Sequence, residues 1–202
     1  MDKKDMKYLL IDTSTNALII MLYDNQVKLD EHIRFGKQDH QAHIVPMIEH
    51  VLHAHNLKVQ DLSGIIVGVG PGSYTGLRVG VMTAKMLSYA TGVKLYKVSS
   101  LVFLSSGYQQ KALIWHDARN DQGFSATIEK GIILDEEKVR HLDELSDEEK
   151  EMLILLSPDT IKLDGRVVID KKEEVEDIFS LIPNYLRQTE AEKNLDKNRS
   201  HS

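Results

Sequence analysis

A glycine-rich segment carries the residues in this chain that are best placed to bind a ligand. It reads GVGPGSYTGLRVG over residues 68–80 and directly follows the apolar run at 64–69. A strand that leads through glycines into a helix brings backbone N–H groups together, and such groups can hold an anion. The candidate phosphate contacts in this segment are Gly70, Gly72, Ser73 and Thr75.

Other functions for the same segment have to be weighed. No Gly-Lys-Ser/Thr follows the glycines, so it is not a P-loop, and it does not match a dinucleotide fingerprint. Ser73 lies in a G-S-x-x-G context instead of the G-x-S-x-G of a hydrolase, and we expect it to cap the following helix. Gly76, Gly80 and Ala84 share one helix face, so close packing of another backbone is an equally simple reason for the glycines.

Two further groups of polar residues could take part in chemistry. Asp12 and Ser14 follow the apolar stretch Tyr8–Ile11, where a carboxylate could contact a phosphate or instead cap its own turn. His40 and His43 begin a histidine-rich helical segment. A zinc site needs three or four converging ligands, and the spacing does not supply them, so we predict no metal site.

The elements that position these residues are predicted from apolar periodicity and turn residues. The first half gives three strands, a helix capped by Asp39, a strand, a second helix ended by Gly92, and a last strand. The first three strands are predicted at 8–11, 17–23 and 27–35, and the first helix at 39–55. The fourth strand is predicted at 64–69, the second helix at 74–90 and the last strand at 93–98. This order predicts an α/β fold, with a mixed sheet and helices packed on its faces.

The second half is less regular and predicts a smaller lobe. Predicted strands lie at 112–116, 124–128, 132–134 and 167–169, and a helix at 173–181. The charged stretch 135–151 is expected to be a solvated helix or loop. We predict an N-terminal lobe at 1–107, a C-terminal lobe at 108–189, and a disordered tail at 190–202.

Composition narrows the class of protein. The net charge is −6, from 25 basic and 31 acidic residues, and no basic cluster stands out. Phosphate contacts dominate nucleic-acid affinity, so strong RNA binding by this chain alone is not expected. The chain contains no cysteine, signal peptide or apolar stretch of membrane-spanning length, and we expect a soluble cytoplasmic protein.

Four strings in the sequence resemble one family. GPGSYTGLRVG at 70–80 is similar to the signature of the TsaB (YeaZ) family, and Ile11-Asp12-Thr13-Ser14 resembles its first-strand element. Asp117-Ala118-Arg119 and the PNYLR string at 183–187 also match, in the same order and spacing. The resemblance covers nearly all of the folded chain.

The resemblance implies a fold and a role. The fold would be that of the actin, sugar-kinase and Hsp70 superfamily (ASKHA), with two lobes of which the second is reduced. The role would be that of a non-catalytic scaffold that binds the transferase TsaD, together with the ATPase TsaE, in threonylcarbamoyladenosine modification of tRNA. The resemblance implies that the chain has no catalytic residue and no cofactor of its own, and that ATP or ADP would bind at the assembly. It also implies that the chain contacts tRNA only through the complex and forms a homodimer in isolation.

The resemblance also implies where partners and nucleotide would be found. Both N-lobe helices would contact TsaD or a second copy, through Ile44, Met47, Ile48, Val51, Leu77, Gly80, Val81 and Ala84. The first-strand element is a phosphate loop in the superfamily, so Asp12 and Ser14 would be remnants of a nucleotide site. No second phosphate loop is found, which favours loss of catalysis. The alternative is a nucleotide-binding ATPase or phosphotransferase that uses Asp12 and the 70–75 loop, with a peptidase a weaker alternative.

Overall fold

Two β-sheets and five α-helices make up the computed structural model, which describes residues 6–36 and 39–186. The strands are β1 (Lys7–Asp12), β2 (Ala17–Asp24), β3 (Val27–Phe35), β4 (Gly64–Gly68), β5 (Leu95–Val98), β6 (Ala112–Arg119), β7 (Gln122–Glu129), β8 (Ile132–Ile133), β9 (Lys138–His141), β10 (Leu153–Leu155) and β11 (Glu173–Glu174). The helices are α1 (His40–Ala54), α2 (Tyr74–Thr91), α3 (Ser100–Ser105), α4 (Asp147–Glu151) and α5 (Gly165–Asp170).

The first sheet is mixed, with strand order β11-β5-β4-β1-β2-β3. β1, β4 and β5 run parallel, and the β1–β2–β3 meander is antiparallel. Alternate residues of β1 and β2 point to opposite faces, and both faces are buried. This explains why these strands read as continuous apolar runs instead of an alternating pattern.

Different elements pack on the two faces of the first sheet. Leu9, Ile11 and Ile20 pack beneath α1 and α2. Leu10 and Ile19 face the other way, into a core shared with α3, α5 and the second sheet. Because that core joins the two sheets, the two lobes are one packed body and not separate modules.

The second sheet has strand order β10-β6-β7-β8, with β9 also paired to β7. Its centre is the β6–β7 hairpin, which turns at Asn120 and Asp121, both in the left-handed region. The predicted mixed sheet with flanking helices and the predicted three-strand meander are confirmed.

The second half contains the main errors of the sequence-based prediction. Residues 167–169 lie in helix α5, not in a strand, because Asp164 accepts a hydrogen bond from the Arg166 N–H and caps a helical turn. The predicted helix at 173–181 is instead the short strand β11 followed by turns. The helix α3 and the strand β10 were not predicted, and the charged stretch contains β9.

The predicted lobe boundary also needs a correction at its far end. β11 pairs with β5 of the first sheet, and Leu181 packs in the core beneath α1 and α2. The chain after residue 172 therefore returns to the first lobe, although it was assigned to the second. The predicted disordered tail at 190–202 lies outside the described residues.

Over residues 6–36 and 39–186, none of the helices combines the length and the apolar character needed to span a bilayer.

Candidate functional site

Gly72, just before α2, and two glycines within α2 pack directly on the turn between β1 and β2. A Cβ added at Gly72 would lie 2.5 Å from the Ser14 carbonyl oxygen, and one added at Gly76 would lie 2.1 Å from the Thr13 carbonyl oxygen. At Gly80 the added atom would lie 2.3 Å from Thr13 Oγ1. The absence of a side chain at these positions is what lets the helix approach the turn.

The turn at 12–14 is closed by its own hydrogen bonds. Asp12 Oδ1 accepts bonds from the Ser14 N–H (2.8 Å) and hydroxyl (2.7 Å), and the Ser14 carbonyl accepts from the Ser73 N–H at 2.7 Å. All three turn residues are fully buried. Asp12 and Ser14 are thus not on an accessible surface, and the N–H of Ser73 is already used within the chain. Within the predicted phosphate cradle, the Gly70 N–H is also used, as a donor to the Ser100 hydroxyl at 2.9 Å.

Burial changes the acidity of Asp12. Removal of the carboxylate from water raises its pKa, while the hydrogen bonds from Ser14 partly oppose that shift. The second oxygen, Oδ2, lies beside the Ser100 hydroxyl without a well-formed hydrogen bond. Asp12 therefore acts as a structural residue of the turn.

A cleft of about 1100 Å³ opens beside this turn. The amino-terminal ends of α1 and α2 form one wall, and the β6–β7 hairpin forms the other. Gly72, Ser73 and Thr75 line it, but Gly70 does not. A Cβ at Gly70 would lie 2.8 Å from the Asn184 carbonyl oxygen, so this glycine supports the packing of the C-terminal segment. Ser73 accepts a hydrogen bond from the Gly76 N–H, which confirms the predicted helix cap.

The DAR string lies on the hairpin wall of the cleft. Arg119 has a φ of 69°, in the left-handed region, and its N–H donates to Asp117 Oδ1 at 2.8 Å. On the opposite wall the rings of Tyr74 and Tyr185 pack with centroids 4.6 Å apart, and the Arg78 guanidinium lies 4.5 Å from the centre of the Tyr74 ring. The cleft therefore combines aromatic surface with charged side chains.

Two histidines, one from each wall, also line the cleft. His40 Nε2 lies 2.9 Å from the Thr15 carbonyl oxygen. Burial lowers the pKa of His116 to about 4, opposed by the nearby Asp117 carboxylate and the Pro71 carbonyl, so this imidazole is neutral at physiological pH. Among the described residues, no three His, Asp or Glu side chains come together as a metal site.

The predicted partner contacts on α1 and α2 lie inside the fold. Ile44, Ile48, Val51, Leu77, Gly80, Val81 and Ala84 are buried, and Met47 is half-buried. Periodicity locates an apolar stripe, but both helices lie side by side on one face of the sheet, so this stripe faces the strands. A partner surface on these helices has to consist of other residues.

The outward face of α2 carries such residues. Met82, Met86 and Tyr89 are 53%, 58% and 64% exposed. The Tyr89 ring contacts Phe179 edge-on at 5.4 Å, and Lys85 donates hydrogen bonds to the carbonyls of Phe179 (3.1 Å) and Leu181 (2.9 Å). We refer to Met82, Met86, Tyr89 and Phe179 as the α2 patch.

The prediction missed one tie between distant parts of the chain. Glu137 accepts a hydrogen bond from the Ser99 hydroxyl through Oε1 and another from Asn184 Nδ2 through Oε2 at 2.9 Å. The Asn184 N–H also donates to the Val69 carbonyl at 2.7 Å. The PNYLR string had pointed to this segment without indicating its contacts, and its last residue lies outside the described residues.

Comparison with known proteins gives consistent matches. A family model described as TsaD, tRNA N6-adenosine threonylcarbamoyltransferase, matches residues 34–167. The tRNA threonylcarbamoyladenosine biosynthesis protein TsaB of Bacillus subtilis is 30% identical over 222 residues, covering 93% of this chain and 96% of that protein. Its Escherichia coli namesake is 30% identical over 106 residues, covering 52% of this chain and 46% of that protein. Among solved structures, YeaZ from Pseudomonas aeruginosa superposes with a TM-score of 0.74 at 20% identity, over 90% of this chain and 100% of that one.

Proposed function

The chain belongs to the TsaB family of tRNA threonylcarbamoyladenosine biosynthesis proteins, and on that premise we propose that it is a non-catalytic subunit that binds and supports the transferase TsaD. The ATPase TsaE would join the same assembly, and tRNA would be contacted through the complex. In isolation the chain would pair with a second copy. Such a subunit works where tRNA is modified, in the cytoplasm.

The observation that carries this proposal is the α2 patch. Three large apolar side chains project outward from one helix, and Phe179 extends the patch beyond the helix. Methionine is common at adaptable binding surfaces, and exposed apolar patches mark interaction sites. Lys85 fixes the Phe179 segment against α2, so the patch is presented on a rigid support. These features suit a surface that is covered in an assembly.

The closed turn supports a role without catalysis. A nucleotide-hydrolysing enzyme that used Asp12 and the 70–75 loop would need the carboxylate and the loop N–H groups to reach a phosphate. Asp12 is fully buried, and the Ser73 N–H is bonded to Ser14. We therefore assign nucleotide chemistry to the partner subunits and hold the ATPase as the second candidate.

Reconstitution of tRNA modification would test the proposal. Purified TsaD and TsaE family proteins from the same organism, supplied with ATP, tRNA and an activated threonylcarbamoyl donor, should form threonylcarbamoyladenosine when this chain is added and lose most of that activity when it is omitted. Asp12→Asn should support modification as well as the unsubstituted chain. ATP hydrolysis by this protein alone, removed by Asp12→Asn, would contradict the proposal and favour the enzyme.

A further inference from the structure

The C-terminal segment 175–186, which we refer to as the strap, contacts α2, the first sheet and the second lobe. It follows β11 and contains no further helix or strand. Among the described residues, two backbone hydrogen bonds join it to the rest of the protein. The Val175 N–H donates to the Leu95 carbonyl at 2.9 Å. The Asn184 N–H donates to the Val69 carbonyl at 2.7 Å. Side-chain contacts therefore hold most of the strap in place.

The first of these side-chain contacts comes from Lys85 of α2. Its ammonium group donates hydrogen bonds to the carbonyl oxygens of Phe179 at 3.1 Å and of Leu181 at 2.9 Å. Both acceptors are main-chain atoms, so Lys85 fixes the path of the backbone through this part of the strap. The exposed Phe179 ring is thereby held with its centroid 5.4 Å from that of Tyr89. The place of Phe179 in the α2 patch therefore depends on Lys85.

Packing holds the middle of the strap. Leu181 is buried in the core beneath α1 and α2, and Ile178 is half-buried against the same core. A Cβ added at Gly70 would lie 2.8 Å from the Asn184 carbonyl oxygen, so the strap lies directly on this glycine. Leu181 and Asn184 are three residues apart. Because the connection between them is so short, a displacement at one position shifts the other.

The last contact joins the strap to the second lobe. Glu137, between β8 and β9, accepts a hydrogen bond from Asn184 Nδ2 through Oε2 at 2.9 Å and another from the Ser99 hydroxyl through Oε1. Ser99 is itself fixed as the cap of α3, where its hydroxyl accepts from the Val102 N–H at 3.3 Å. One end of the strap is thus bonded to α2, and the other end is bonded to a carboxylate of the second lobe.

We infer that the strap acts as one unit and that Lys85 and Glu137 are positioning residues for the partner surface. The inference rests on the proposed function, in which the α2 patch binds TsaD. A segment with few backbone hydrogen bonds opens locally, and neighbouring contacts in such a segment open together. Loss of either Lys85 or Glu137 lowers the fraction of molecules in which Phe179 completes the patch, and the apparent affinity for the partner falls with that fraction. Glu137 therefore affects partner binding from the second lobe, although it is not part of the α2 patch.

Substitution at one end of the strap, with a measurement at the other end, tests whether it acts as one unit. Lys85→Met should make the Asn184 N–H exchange with solvent about tenfold faster or more, because hydrogen bonds from a charged group are lost. Lys85→Arg keeps donors for both carbonyls and should restore slow exchange. In the chain labelled with 4-fluorophenylalanine at its four phenylalanines, Glu137→Ala should move the Phe179 fluorine signal toward its value in the urea-unfolded chain.

The link to the partner surface is tested by titration with the TsaD family protein of the same organism. Glu137→Ala should bind it about tenfold more weakly than the parent chain does. Lys111→Met and Glu136→Ala, at exposed positions away from the strap contacts, are the matched controls and should change neither the strap signals nor the affinity.

Two results would overturn the inference. In one, each substitution would disturb only its own end of the strap; in the other, Glu137→Ala would bind TsaD as tightly as the parent chain. The exchange and fluorine measurements use the isolated chain, so they decide whether the strap is one unit even when no complex forms. A parent chain that bound no TsaD would instead contradict the proposed function.

Discussion

At the scale of single residues, the turn at 12–14 decides what the glycine-rich segment does. The glycines bring α2 against the turn, and the Ser14 carbonyl of the turn accepts a hydrogen bond from the Ser73 N–H, one of the donors that could have held a phosphate. The same sequence string that is typical of an anion-binding loop thus serves packing at Gly72, Gly76 and Gly80. Spacing alone could not distinguish these two uses, because both need a small residue at the same positions.

Alanine substitutions at two glycines of α2 test this packing. Alanine normally stabilises a helix interior by about 0.5–1 kcal/mol relative to glycine. Here we expect Gly76→Ala to lower the free energy of unfolding by about 1–3 kcal/mol, because the added atom meets a rigid backbone carbonyl. Gly80→Ala should also lower stability, because the added atom meets the buried Thr13 hydroxyl, which donates a hydrogen bond to the Gly76 carbonyl at 2.7 Å. Urea unfolding would measure both, and a Gly76→Ala variant as stable as the parent chain would refute the contact.

Asp12 gives a pH-dependent prediction. Since burial raises the pKa of its carboxyl group in the folded state, Asp12 contributes stability at pH values below its unfolded pKa, and this contribution is lost as pH rises through the folded pKa. Asp12→Asn removes the ionisation and can retain the Oδ1 hydrogen bonds. The variant should therefore gain stability relative to the parent chain as pH rises from 4 to 8, as followed by urea unfolding at each pH. A gap between the two proteins that does not change with pH would show that Asp12 titrates normally.

At the scale of elements, apolar periodicity located the first-lobe strands and helices within a few residues. It did not show which side of α1 and α2 faces outward, because each helix carries apolar residues on more than one face. Packing of the two helices on one sheet decided that Val81 and Ala84 are core, and Met82 and Met86 are exposed. An orientation set by tertiary packing has no local sequence signal.

The second lobe was harder to predict for a different reason. An apolar run as short as 167–169 shows no measurable periodicity of its apolar residues. It is helical because Asp164 caps the amino terminus of α5. β9 was not predicted because it lies in a charged stretch, and the partners that neutralise its arginine come together only in the fold. Arg140 donates to Glu149 at 2.6 Å and to the buried Ser125 hydroxyl at 2.9 Å. Such distant partners cannot be inferred from charge patterning alone.

The tie at Glu137 is predicted to hold the C-terminal segment on the first lobe. Glu137→Ala removes the acceptor for Asn184 Nδ2, and hydrogen bonds to charged groups contribute about 1.5–3 kcal/mol. The Asn184 N–H should then exchange with solvent about tenfold faster or more, as measured by hydrogen exchange. Glu136→Ala, at the exposed neighbouring position, should leave the exchange rate unchanged. If both substitutions changed the exchange rate of the Asn184 N–H equally, the hydrogen bond between Glu137 and Asn184 would not hold this segment in place.

At the scale of the whole molecule, the features divide between two surfaces. The α2 patch lies on the outer face of the first lobe, and the cleft lies where the helix ends meet the second sheet. A subunit that supports a transferase needs the first surface to be covered by a partner. The continuous core that joins the two sheets would keep the patch and the cleft in a fixed relation during assembly.

Light scattering on size-exclusion fractions tests the central claim most directly. The parent chain and its Met86→Glu variant would each be mixed with the TsaD family protein of the same organism. A Val27→Glu variant serves as the matched control, because Val27 is an exposed apolar residue away from the patch. We predict a mixed complex for the parent chain and for Val27→Glu, and separate components for Met86→Glu, because a charge would be buried without a partner at the centre of the interface. A parent chain that forms no complex would contradict the account, as would a Met86→Glu variant that binds as tightly as the parent.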